Sequence, residues 1–270
     1  MIKKLFSFSD KKNKDFSKLP YPHVELYHWS PSDGRVNFGD RLADIVCRQM
    51  ISLRGYSLDD EVYKQERLLS IGSVLHFSKT GDHVWGSGWN GKIPEKEFKA
   101  KGLKVHAVRG PLTEEFLKKR HIDVPAIYGD PALLIPHIFA NRFTVTAEND
   151  YVFVPNLNDL AVVGGQENVV SPLWGWNVVI ANILKAKLVL ASSLHGLIIA
   201  EAFGIPARYV RLSPTEELFK YKDYYFGSGR KESEFTFAKS VAEGLEMGGA
   251  KAIRYDRTAL MNAFPYALWR

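Results

Sequence analysis

Apolar positions along this chain follow two alternating rhythms. Short β-rich runs with a period of two give way to stretches with a helical period. The first run, His23–Trp29, predicts a strand, and the polar loop Ser30–Gly39 follows it. Asp40 then reads as the N-cap of an amphipathic helix to about Arg54, with Leu42, Ile45, Val46, Met50 and Ile51 on one face. Arg67–Gly72 and His83–Trp85 predict short strands, followed by a glycine-rich loop at Gly86–Gly91. Lys104–Val108 predicts another strand. Arg109-Gly110-Pro111 turns it into a helix, Leu112–Arg120, whose proline suits the first helical position. Ala126–Tyr128 predicts a strand closed by Gly129-Asp130-Pro131. After the polar stretch Thr144–Asp150 the alternation resumes. Strands are expected at Tyr151–Pro155, Asn168–Ser171, Lys187–Ala191 and Ala207–Leu212. Helices are expected at Trp176–Ala186 and at Leu194–Phe203, the latter stopped by Gly204 with Pro206 beyond it.

Strands alternating with helices in both halves imply an α/β fold with parallel sheets covered on both faces. The economical architecture is two Rossmann-like halves with a cleft between them. Residues 19–145 form the first half and residues 146–270 the second, with the last helix free to pack back on the first. In such folds ligands sit beyond the carboxyl ends of the strands, where helix N-termini present free N–H groups to anions.

The chain has 270 residues, 46% of them hydrophobic, which is enough for a large core. Its net charge of +6 is uneven. Residues 1–18 carry six lysines and two aspartates, so the remainder is almost neutral. That remainder lacks the basic surface of a nucleic-acid binder, and none is expected as a partner. The single cysteine, Cys47, excludes a disulfide framework and a cysteine-based zinc site, and it sits in the apolar pattern of a helix. His76, His83 and His106 have no ligand spacing to carboxylates, so no metal is expected. No signal-peptide core is present. The longest apolar stretch, Leu188–Ile205, is interrupted by Ser192, Ser193, His195 and Glu201. A cytoplasmic protein with a flexible basic arm at residues 1–18 is expected.

Five strand-to-helix turns are candidates for chemistry. Asn37-Phe38-Gly39-Asp40 reads either as a capped helix start or as a ligand loop. Gly39 permits close approach of the backbone. It is neither a Walker loop nor a dinucleotide fingerprint. Arg109 ends a strand and suits bidentate binding of phosphate or carboxylate, with a salt bridge as the competing reading. Ser192-Ser193-Leu194-His195-Gly196 is the most informative. Ser193 is a plausible N-cap, and a histidine in the first turn of an apolar helix is poorly explained by packing. It is a candidate acid or base. The segment is not a nucleophile elbow. Glu201 is unusual in this helix and reads as structural or functional. Arg211 at the end of the last strand is a second candidate anion ligand. The stretch Lys222–Arg230 mixes rings and polar groups that suit a sugar face, with Tyr224 and Arg230 as candidate contacts.

Taken in order, these motifs resemble the bacterial polysaccharide pyruvyl transferase family. The matching segments are Asn37–Asp40, Arg109–Thr113, Gly129–Ala132, Ser192–Pro206, and the run from Asp223-Tyr224-Tyr225 to Gly229-Arg230. The resemblance implies a glycosyltransferase-like double-Rossmann (GT-B-like) fold. It implies ketal formation with phosphoenolpyruvate as donor and no other cofactor. The acceptor would be a sugar of an exopolysaccharide repeat unit, often lipid-linked. The resemblance assigns the acid–base role to His195 and donor-anion binding to Arg109. Asp40 is a candidate base. Asn37, Gly39, Ser193, Leu194, Arg211, Arg230 and Tyr224 are candidate substrate contacts. With a lipid-linked acceptor, the lysines of residues 1–18 and the neighbouring Leu5, Phe6, Phe8 and Phe16 suit contact with anionic lipid. Two other readings remain. A nucleotide-sugar glycosyltransferase needs a base-and-ribose pocket that the chain does not announce. A catalytically silent carbohydrate-binding protein leaves His195 unexplained.

Overall fold

The computed structural model describes residues 19–163, 165–253 and 255–270. The expected arm at residues 1–18 lies outside them. Two sheets, both wholly parallel, organise the chain. The first runs in the order β1 (Val24–Tyr27), β2 (Glu66–Leu69), β3 (His83–Trp85) and β4 (Lys104–Ala107). The second is β5 (Asn149–Val154), β6 (Ala186–Ala191) and β7 (Ala207–Tyr209). The expected strands Ala126–Tyr128 and Asn168–Ser171 shrink to single bridges, Val108 with Tyr128 and Phe153 with Val169.

The helices are α1 (Phe38–Ser52), α2 (Pro111–Lys118), α3 (Ile135–Ile138), α4 (Leu160–Val163), α5 (Trp176–Ile183), α6 (Leu194–Ala202), α7 (Phe219–Gly227), α8 (Val241–Met247) and α9 (Arg257–Asn262). Helix α1 begins two residues before Asp40, because Asn37 is the cap. Its side-chain oxygen accepts from the Gly39 and Asp40 amides at 2.8 and 3.4 Å. That frees the Asp40 carboxylate from capping. The apolar stripe Leu42, Val46, Met50 is buried, together with Cys47. Burial pushes the Cys47 thiol up to about 12, so it stays an inert core thiol. Helix α6 is buried along its whole length and is apolar on all sides, as a helix between a sheet and other helices must be. Burying Leu197, Ile198 and Ile199 contributes about 1.5–3 kcal/mol each. Gly196 permits this packing, since a Cβ there would come within 2.8 Å of the Val154 Cβ.

One core runs through both sheets, from Leu42 and Val46 of α1, through Leu133 and Leu134, to Val189 and Ile198. The 3-10 turn Pro131–Leu134 touches both α1 and α6. The C-terminal segment returns to the first sheet. The Trp85 indole donates to the Leu260 carbonyl at 2.9 Å, and Phe264 meets that ring edge-on at 4.7 Å. Helix α7 packs on α2. Both α1 and α6 therefore start at carboxyl ends of parallel strands, with their N-termini close together.

Candidate active site

The starts of α1 and α6 meet at His195. Ser193 caps α6, its hydroxyl accepting from the Gly196 amide at 3.3 Å. The next residues place the His195 ring against the first turn of α1. Gly39 is required there, because a Cβ at that position would overlap the imidazole, Nδ1 first. Phe38 meets the ring edge-on at 6.4 Å. A cavity of about 310 Å³ opens at this junction. Asn37 and Asp40 from α1 line it, as do Ser193, Leu194 and His195 from α6. Lys92, Lys220 and Asn156 supply further polar walls, and Trp29, His76 and Phe77 supply rings. The first-turn amides of α1 are taken by Asn37 and the Pro172 carbonyl, so the start of α6 is the end that faces the cavity with amides lacking an intrahelical acceptor.

The charges around the cavity are unevenly matched. Lys92 and Lys220 both pair with Glu216, at 2.8 and 2.7 Å, so two ammonium groups share one carboxylate. Burial pushes Glu216 up, and the two lysines more than reverse it, holding it below its usual range. Burial lowers Lys220, against the pull of Glu216. Asp40 is pushed up to about 6 by burial, with His195 and Lys220 opposing. A carboxyl that titrates there can take or return a proton near neutral pH. The junction thus offers a small anion a histidine, a poised carboxyl and two ammonium groups held by one glutamate.

Five of the sequence-predicted residues meet around this cavity: Asn37, Asp40, Ser193, Leu194 and His195. Gly39 lies beneath the His195 ring. Four others do not reach it. Arg109, expected to point into the crevice, is completely buried. Its guanidinium donates to Asp223 at 3.0 Å, to the Ser73 hydroxyl at 2.5 Å and to the Trp89 carbonyl at 2.7 Å. Asp223 also accepts from the amide and hydroxyl of Thr113. Arg109 therefore joins α2 to α7 and sits behind the cavity wall, touching it through Ser73. Arg211 lies beyond the end of β7 and folds onto its own loop, donating to the carbonyls of Pro214 and Glu216. Arg230 pairs with Glu201 at 2.5 and 3.0 Å and stacks on Tyr225 at 3.6 Å. Tyr224 donates to Glu201 at 2.5 Å and is 1% exposed. Arg230 thus neutralises the one carboxylate in α6 and Tyr224 hydrogen-bonds to it, so both side chains are turned to Glu201.

Sequence reasoning missed Lys220, Lys92, Asn156 and Asp130. Lys220 lies in α7, a helix that the apolar pattern does not predict. In sequence Asp130 stands in the Gly129-Asp130-Pro131 turn and in the Gly129–Ala132 match, and neither marks it as a neighbour of the histidine. Its carboxylate is fully buried, with Oδ2 3.7 Å from the His195 Nε2. Among the described residues no three His, Cys, Asp or Glu side chains are grouped to hold a metal ion. None of the described helices is long and apolar enough to cross a membrane.

Comparison with known proteins places this geometry in context. Residues 10–214 match the family described as Polysaccharide pyruvyl transferase. The chain is 29% identical over 248 residues to the succinoglycan biosynthesis protein ExoV of Rhizobium meliloti, covering 84% of this chain and 73% of that one. It is 24% identical over 260 residues to an uncharacterised protein of Acanthamoeba polyphaga mimivirus, covering 88% of each. Among solved structures, an uncharacterised Klebsiella pneumoniae protein aligns at a TM-score of 0.48 with 12% identity, over 76% of this chain and 87% of that one.

Proposed function

The chain belongs to the polysaccharide pyruvyl transferase family, and on that premise we propose that it moves the pyruvyl group of phosphoenolpyruvate onto two hydroxyls of a polysaccharide sugar. The observation that carries this reading is the meeting of His195 and Asp40 across two helix N-termini, in a cavity lined by Lys92 and Lys220. Phosphoenolpyruvate brings a carboxylate and a phosphate, which need two cationic or N–H-rich places. The start of α6 at Leu194 offers one, and Lys220 with Lys92 the other.

The chemistry divides between His195 and Asp40. His195 gives a proton to the enol CH₂, making it a methyl group and leaving an oxocarbenium-like carbon. A sugar hydroxyl adds to that carbon, and Asp40 takes its proton. Phosphate departs with its bonding electron pair. The second hydroxyl adds, closing the cyclic ketal. Asp40 passes the first hydroxyl's proton to the departing phosphate, and the second hydroxyl's proton returns to His195, so the cycle closes without a metal or another cofactor. The rings of Trp29 and Phe77 at the cavity wall suit the C–H face of the acceptor sugar. The fuller architecture is a GT-B-like pair of Rossmann-like halves with the cavity as their cleft.

The acceptor is an exopolysaccharide repeat unit on a lipid carrier, met at the cytoplasmic face of the membrane. The six lysines and four apolar residues of residues 1–18 support contact with anionic lipid. Deleting residues 2–18 should reduce sedimentation with anionic vesicles and spare turnover of a soluble acceptor. Unchanged sedimentation removes this role. The reaction is tested by following labelled pyruvyl transfer from phosphoenolpyruvate to repeat-unit oligosaccharide. No transfer, together with sugar transfer from a nucleotide sugar, overturns it in favour of a glycosyltransferase.

A further inference from the structure

Asp130 carries an unused acceptor in the interior. It follows Tyr128 and Gly129, opens the 3-10 turn Pro131–Leu134, and is 0% exposed. One oxygen is committed, since Oδ1 accepts from the Ala132 amide at 3.0 Å. The other, Oδ2, is buried with no partner. The nearest complement is the Nε2 of His195 at 3.7 Å, which is also buried and unpartnered. Two facing orphans are the costly arrangement that folded proteins avoid, at about 1–3 kcal/mol each.

The neighbours leave few alternatives. The Tyr255 hydroxyl lies against Gly129, but its proton goes to the Tyr128 carbonyl at 3.0 Å. Asp40 from α1 is the charged group that faces His195 from the cavity side, and Lys220 from α7 acts on Asp40 in turn. The His195 Nδ1 lies over Gly39, on the α1 side. A ring protonated only on Nδ1 would set the Nε2 lone pair against a carboxylate oxygen, acceptor against acceptor. A ring protonated on Nε2 turns the same contact into a charge-assisted hydrogen bond.

We infer that Asp130 is a positioning residue for His195: it accepts the Nε2 proton, fixes the tautomer, and leaves Nδ1 as the nitrogen that exchanges protons with the substrate. The 3.7 Å separation closes when substrate fills the cavity and the ring settles. Donation from Nδ1 then leaves the Nε2–H imidazole with its acceptor already in place, the service a buried aspartate gives a catalytic histidine elsewhere. The kinetic consequence rests on the pyruvyl-transfer reading, whereas the tautomer does not.

The test is nitrogen NMR of the full chain labelled with ¹⁵N-histidine, above the titration range of the ring. The His195 signal is assigned by its loss in His195→Gln. Wild type should show the Nε2–H tautomer. In Asp130→Asn the side-chain oxygen keeps the Ala132 cap and the amide N–H₂ faces the ring, so the tautomer should invert to Nδ1–H. Transfer should then fall about 10²–10⁴-fold in kcat, with the KM for phosphoenolpyruvate changed less than about threefold. An Nδ1–H ring in wild type overturns the inference. So does Asp130→Asn with an unchanged tautomer and wild-type kcat. Because the wild-type spectrum alone decides the tautomer, a misfolded Asp130→Asn leaves the inference falsifiable. A tautomer that inverts in a chain that transfers no pyruvyl group supports the positioning role and removes the reaction.

Discussion

Two regions of the molecule hold clusters of charged groups, and they are built on opposite plans. Around the Arg109–Asp223 and Arg230–Glu201 pairs, every charged group is matched: guanidinium forks meet carboxylates, and hydroxyls and carbonyls take the remaining donors. At the α1–α6 junction the groups are left unmatched. Two lysines share one glutamate, Asp40 is pushed up to about 6, and the His195 Nε2 has no partner. Satisfied polar networks hold helices together, and unsatisfied ones await a ligand. The two regions touch through Ser73, which bonds Arg109 and lines the cavity. Structure and chemistry are therefore neighbours here with distinct residues.

That division can be broken by mutation. The largest effect is expected at His195. His195→Gln should lower kcat by about 10²–10⁴-fold, leaving the denaturation midpoint within the range of a mild surface change. A large loss of stability instead would make His195 a core residue. Arg109→Ala strands the buried Asp223 and should cost about 3–5 kcal/mol in urea unfolding. Loss of activity with unaltered stability would move Arg109 into the site after all.

Asp40 sharpens the contrast from the other side. Its folded value, about 6, lies above the ordinary carboxyl value of 3.8. The folded state therefore binds the extra proton between these values, so this group's contribution declines as pH rises from about 4 to about 6. Asp40→Asn should remove that penalty and stabilise the protein at pH 7 by about 1–3 kcal/mol, toward the low end because cavity water reaches the carboxyl. The same variant should lose the acid limb of the kcat profile near pH 6. A destabilised Asp40→Asn would show that Asp40 is a structural group. The smallest effect is expected for Tyr224→Phe, which removes one hydrogen bond to Glu201. About 1–1.5 kcal/mol of stability should go, with turnover unchanged, and a defect in acceptor KM would return Tyr224 to the sugar site.

The alternation of strands and helices was legible because it rests on burial, which the apolar period reports directly. β3 matches its expected bounds, and α1, α6 and β6 differ at their ends by a few residues. The capping of α1 was misread because Asn37 and Asp40 are both good caps, and only the backbone course selects Asn37. Helix α7 was not legible at all. Its Phe219, Tyr221, Tyr224, Tyr225 and Phe226 surround the axis, so no single face stands out against the period. That hid Lys220, and it hid the pairing of Asp223 with Arg109. The histidine could be found because an apolar helix has no packing use for it. Arg109 gives no such signal: a strand-end arginine looks the same in sequence whether its carboxylate comes from a ligand or from a helix over a hundred residues later.

The central claim is that the α1–α6 junction protonates phosphoenolpyruvate and delivers its pyruvyl group to a sugar. The most direct measurement is proton NMR of the product formed in D₂O from phosphoenolpyruvate and repeat-unit oligosaccharide. The account predicts a ketal methyl carrying one solvent-derived deuterium, formed by wild type and by Tyr224→Phe, and almost absent with His195→Gln. Equal ketal formation by His195→Gln, or none by the folded wild-type chain, would contradict it.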